Sequence, residues 1–149
     1  MKIELTEQKS ELAIAVKKRA NMENLKALID EGYGMISNYL ADLGKQMSGA
    51  PYIAYYDFAD EFDIEMGFPV AEELSGKGGL YMSKTYEGKA ITGTYKGSYD
   101  GLKQAYCEIF KYIEENKLEY TGVCYDHYIN DPSVTPEDEL LTKIVIPIK

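Results

Sequence analysis

Apolar positions recur every three or four residues along "NMENLKALIDEGYGMISNYLADLG" (21–44), placing Leu25, Leu28, Ile29, Tyr33, Ile36, Leu40 and Leu43 on one stripe. That spacing predicts an amphipathic helix, with Asn21 as its N-cap and Gly44 as its stop. A second helix is predicted in "SYDGLKQAYCEIFKYIEEN" (98–116), from Leu102, Tyr106, Ile109, Phe110 and Ile113. Ser98 is placed to cap it, and Asp100 suits the positive end of the helix dipole.

Each helix follows a strand-like segment, "ELAIAVKKRA" (11–20) or "GKAITGTYKG" (88–97), and precedes two more. These are "PYIAYYDF" and "FDIEMGFPV" in the first half, "LEYTGVCYDHYI" and "LLTKIVIPI" in the second. Sliding the chain by 77 residues lays Ala13 over Ala90, Ile14 over Ile91, Leu25 over Leu102 and Lys26 over Lys103; a slide of 78 lays "FPV" over "IPI". The order strand–helix–strand–strand therefore occurs twice, in halves of about 9–70 and 86–148. The segment "EELSGKGGLYMSKTYEG" (72–88) between them reads as a glycine-rich connector. The expected fold is α+β, a single domain over residues 1–149 in which duplicated units form one mostly antiparallel sheet with two main helices packed on it. The two halves should leave a groove where they meet, a natural ligand site.

Charge narrows the function. With 25 acidic against 16 basic residues the net charge is −9, and no basic stripe is present. Direct binding to a nucleic-acid backbone, which needs clustered cations, is therefore not expected. No apolar run is long enough to span a bilayer, and the charged N-terminus lacks a signal-peptide core; the expected location is cytoplasmic, without membrane association. Cys107 and Cys124 lie in apolar periodic segments without paired-ligand spacing and are expected to be buried reduced thiols. The composition includes 14 tyrosines and no tryptophan. Tyrosine suits both a β-sheet and the wall of a cavity that is apolar yet hydrogen-bonds.

The only histidine lies in "GVCYDHYINDP" (122–132). In an extended strand Cys124, Asp126 and Tyr128 share one face while Tyr125 and His127 share the other, which argues against an Asp126–His127 dyad. One histidine and one aspartate also fall short of a zinc ligand set, so no metal site is expected. "GKGG" (76–79) lacks the spacing of a phosphate-binding loop, and no motif for a cofactor appears.

"KGSYDGLKQAYCEIFKYIEENKLEYTGVCYDHYINDP" followed by "EDELLTKIVIPI" resembles the GyrI-like family, the effector-binding domain also fused to AraC-type and multidrug-sensing transcription regulators. The family patterns G-x-Y-x-x-L-x-x-A-Y, E-x-Y-x-x-D-P and T-x-I-x-x-P fall on Gly97, Tyr99, Leu102, Ala105 and Tyr106, then Tyr128, Asp131 and Pro132, then Thr142, Ile144 and Pro147. "EMGFPV" (65–70) is similar to the first-half v-G-x-P-V. At 149 residues the resemblance implies the stand-alone form, without a helix-turn-helix domain.

The resemblance also implies a role for one acid. The acidic residue two before the tyrosine of E-x-Y faces cationic aromatic or lipophilic ligands in ligand-binding relatives, and here it is Asp126, one methylene shorter than the usual glutamate. The expected walls are Tyr128, Tyr95 and Tyr99, with Tyr55, Tyr106 and Tyr33 as further candidates. A carboxylate among ring faces attracts a cation by charge and by cation–π contact. The expected function is therefore small-molecule binding. One alternative is hydrolysis of reactive cyclopropane-type compounds, an activity of some stand-alone relatives, with Asp126 and Tyr128 as the catalytic pair. The other is a protein-interaction module such as a gyrase modulator, the role from which the family name derives.

Overall fold

The computed structural model describes every residue of the chain except Phe58. Its strands are β1 (Ile3–Gln8), β2 (Leu12–Ala20), β3 (Tyr52–Tyr56), β4 (Phe62–Pro69), β5 (Tyr81–Lys84), β6 (Gly88–Lys96), β7 (Val123–Tyr128) and β8 (Leu141–Pro147). The helices are α1 (Leu25–Leu43) and α2 (Leu102–Glu115). All eight strands form one antiparallel sheet in the order β1-β6-β8-β7-β3-β4-β2-β5. The two strand–helix–strand–strand halves meet where β3 pairs with β7.

Two strands escape the periodicity argument. β1 precedes the first half yet lies against β6 of the second, and β5 precedes the second half yet lies against β2 of the first. Each half thus lends a short strand to the other's edge, and the connector (72–88) contains strand β5 as well as its glycines.

The helix boundaries follow local chemistry with one shift. Asn24, not Asn21, is the N-cap of α1. Asn21 and Asn24 instead accept hydrogen bonds from each other's backbone N–H, at 2.9 and 2.8 Å, closing a turn ahead of the helix. Gly44 ends α1 in the left-handed conformation at φ 67°, where its N–H and that of Lys45 reach back to the carbonyls of Ala41 and Leu40. Ser98 precedes a 3-10 turn, Tyr99–Gly101, that leads into α2, and its side chain makes no capping bond.

Both helices cover one face of the sheet. Ile36 and Leu40 of α1 pack on Ile14, Val16, Ile53, Ile64 and Met66; Ala105, Ile109 and Ile113 of α2 pack on Ile91, Cys124, Ile144 and Ile146. Each fully buried aliphatic side chain contributes about 1.5–3 kcal/mol of transfer free energy. The opposite face, with no helix on it, has its own small core of Ala13, Tyr52, Ala54, Ala90, Tyr125 and Val145. Cys124 is buried as expected, whereas Cys107 is exposed, on the solvent side of α2. No helix among the described residues is long and apolar enough to cross a membrane.

Candidate functional site

Strand alternation sends Asp126 to the helix-covered face at the junction of the halves, where its Cα pairs with Ile53 of β3 and Ile144 of β8. The residue is 3% exposed. Tyr106 of α2 donates its hydroxyl to Oδ1, Tyr128 donates to Oδ2 at 3.4 Å, and the Tyr55 hydroxyl is a third hydrogen-bond partner. Among the described residues no lysine or arginine forms an ion pair with it. Burial pushes the carboxyl up to about 6, and the hydroxyls of Tyr106, Tyr128 and Tyr55 pull it part of the way back. The same burial, with the Asp126 charge nearby, raises the Cys124 thiol to about 12 and keeps it protonated.

The other expected residues fall at graded distances from this carboxyl. Tyr33 of α1 donates to the carbonyl of Tyr52 at 2.8 Å and stacks obliquely on Phe68 at 5.2 Å. Asp126 helps to raise the Tyr33 hydroxyl, after burial and Tyr55, which places this ring in the same electrostatic neighbourhood. Tyr99, 39% exposed, meets Tyr128 edge-on at 5.6 Å and is the outermost ring of the group. Tyr95 packs with the α2 core and donates to the Ser98 carbonyl at 2.8 Å, which latches the turn before α2. Thus Tyr106, Tyr55 and Tyr128 touch the carboxyl, Tyr33 and Tyr99 surround it, and Tyr95 braces the helix start.

One further polar group lies beside this cluster. Thr142 of β8 is the Cα partner of both Tyr128 and Tyr95 and has no exposed surface. Among the described residues its Oγ1 is the buried side-chain atom left without a hydrogen-bond partner. Such an orphan costs about 1–3 kcal/mol unless something satisfies it. The family-like T-x-I-x-x-P pattern had marked the position without giving it a role.

Side chains cover the Asp126 carboxyl itself, which is 3% exposed. Two surface hollows, one beside Asn21–Glu23 and one along Tyr39 and 72–77, touch none of these residues. Of the rings around the buried carboxyl, Tyr99 is the outward one, at 39% exposed. His127 lies on the far face, its ring 5.9 Å from Tyr52 and 6.0 Å from Tyr125. Burial, with help from Lys143, lowers it to about 4. Among the described residues no group of three or more His, Cys, Asp and Glu side chains is arranged to hold a metal ion.

No curated protein sequence matches the chain. Among solved structures, the C-terminal domain of EcmrR superposes with a TM-score of 0.86 at 18% identity, over 99% of this chain and 97% of that one. SAV2435 bound to tetraphenylphosphonium superposes at 0.73 with 13% identity, over 100% and 94%. A hydrolase from Listeria innocua gives 0.69 at 12%, over 99% and 92%. At these identities the superpositions establish the shared fold. The family model for the GyrI-like small-molecule-binding domain matches residues 1–149, and the chain belongs to that family.

Proposed function

We propose that this chain binds an amphipathic organic cation with an aromatic body at the junction of its halves, with Asp126 supplying the charge and Tyr33, Tyr55, Tyr99, Tyr106 and Tyr128 the walls. The observation behind this reading is a buried carboxyl that three tyrosine hydroxyls hold and that, among the described residues, no lysine or arginine pairs with. A buried acid without a counter-charge destabilises a fold, and a cationic ligand removes that cost on binding. The orphaned Thr142 hydroxyl adds an unfilled polar contact on the neighbouring strand. The tetraphenylphosphonium bound to SAV2435 belongs to the same chemical class.

Titration calorimetry with tetraphenylphosphonium chloride tests the charge role. Asp126→Asn should weaken binding at least about tenfold, the scale of a desolvated charge contact, and wild-type affinity should rise as pH passes through about 6. Equal affinity in the two proteins would remove Asp126 from the reading.

A hydrolytic role rests on the same carboxyl. A group that titrates near 6 beside tyrosine hydroxyls suits general acid or base work, and two structural neighbours are named hydrolases. Incubation with a cyclopropane-containing electrophile decides it, since a hydrolysis rate equal to buffer alone ends this alternative. A protein-docking role would leave the buried Asp126 carboxyl without a purpose, since it is 3% exposed.

A further inference from the structure

On the helix-free face a second acid is buried. Glu65 of β4 is 4% exposed. Tyr52 of β3 donates to its Oε2 at 3.1 Å, Tyr81 of β5 donates to Oε1, and the Ser83 hydroxyl lies 3.1 and 3.3 Å from the two oxygens. Among the described residues no lysine or arginine forms an ion pair with it. A carboxylate offers about four acceptor positions. Three hydroxyl donors serve it, none of them charged.

The surroundings are aromatic and already hold a cation. Tyr52, Tyr125 and Tyr86 form a chain of rings with centroids 6.0 and 6.4 Å apart. Lys17, the strand partner of Glu65, carries its ammonium 5.4 Å from the centre of the Tyr56 ring. Gly67 makes the floor possible, because a Cβ there would lie 2.5 Å from the Tyr52 ring that crosses it. The fold itself does not require an acid here. The repeat relation that lays Pro69 over Pro147 lays Glu65 over Lys143, whose ammonium donates to Gln8 at 3.3 Å. Two of the three donors, Tyr81 and Ser83, come from a half-buried four-residue edge strand that, among the described residues, pairs only with β2. They can shift without breaking the central ladders.

We propose that the helix-free face carries a second binding site, separate from Asp126, for a small protonated amine with an aromatic or apolar body, its ammonium on Glu65 and its body on Tyr52, Tyr56 and Tyr125. An ammonium N–H makes a charge-assisted hydrogen bond to the carboxylate that the neutral hydroxyls do not supply, and the ring faces add cation–π attraction. Lys17 competes for the same wall.

The test is an amide-resolved NMR titration of the full chain with 2-phenylethylammonium chloride, and with neutral 2-phenylethanol as control. The expected result is a set of shifts at Glu65, Tyr81 and Ser83 with the amine alone. Affinity should be unchanged in Asp126→Asn and at least about tenfold weaker in Glu65→Gln. If Glu65→Gln does not fold, Lys17→Gln serves instead, with affinity expected to rise about threefold or more once the competing ammonium is gone. No shift at these residues overturns the proposal, as does equal binding of the alcohol, full binding by folded Glu65→Gln, or unchanged affinity in Lys17→Gln. Shifts confined to residues 124–128 also overturn it, while leaving the Asp126 reading intact.

Discussion

The two halves of the sheet solve the same packing problem with different residues. Ala13 pairs with Pro69 in the first half and Ala90 with Pro147 in the second. Followed inward, the ladders lay Tyr55, opposite Ile64, over Tyr128, opposite Thr142, and Ile53, opposite Met66, over Asp126, opposite Ile144. The tyrosines match. The two isoleucines of the first half, both without exposed surface, are replaced in the second by a carboxylate and by a hydroxyl with no partner among the described residues. An apolar pair satisfies this architecture, so the polar pair is a departure that packing alone does not ask for. Departures of this kind concentrate at functional sites, where local stability is given up.

Breaking the asymmetry should have the largest effect. Ile53→Asp places a second acid beside Asp126 with no hydroxyl set arranged for it. It should cost about 3–5 kcal/mol at pH 7, the range for an uncompensated buried charge, with part of the loss recovered at pH 4. Urea unfolding at the two pH values measures both.

The pH profile separates the two faces of β7. The folded-state pKa of Asp126 is raised to about 6, so folding holds its proton and stability falls as pH rises from about 4 to 6. His127 is lowered to about 4, so the unfolded chain takes up its proton first and stability rises from about 4 to 6.5. Each contributes about 3 kcal/mol at 1.36 kcal/mol per pH unit, with opposite sign, and in the wild type they largely offset. Asp126→Asn should therefore gain on wild type as pH rises through this range, and His127→Gln should lose. Parallel profiles for the three proteins would contradict the assignment.

Restoring an apolar residue at the second departure should have a smaller, favourable effect. Thr142→Val is expected to stabilise the protein by about 1 kcal/mol, because the orphaned hydroxyl goes while the shape stays. The urea midpoint should move up without a change in slope. Smallest is the trimming of single hydroxyls: Tyr106→Phe should raise the Asp126 titration by more than Tyr128→Phe, following the order in which they lower it. Carboxyl-carbon NMR titration ranks them.

Much of this was legible from one dimension. Helical spacing marked α1 and α2 within a few residues, and period-two alternation placed Asp126 with Cys124 and Tyr128 and turned His127 away. Side-chain direction within a strand is a local property, so local sequence reveals it. The end of α1 was legible for the same reason, since Gly44 takes a left-handed conformation that few other residues tolerate.

The rest depended on contacts between distant segments. Tyr33 and Tyr106 sit on helical stripes, and whether a stripe residue is core or site depends on how its helix docks over the junction. β1 and β5 lacked a signal because each is a short edge strand that borrows its partner from the other half. Glu65 looked like one more acid in a chain with net charge −9; only the joint register of β5, β2, β4 and β3 gathers Ser83, Tyr81 and Tyr52 around it. The sequence alone determined the two helices, six of the eight strands, the duplication and the face that residues of those strands take, because those follow from nearest-neighbour geometry. Tertiary structure decided which carboxyls are buried and which hydroxyls hold them, because register and helix docking are settled by packing across the whole sheet.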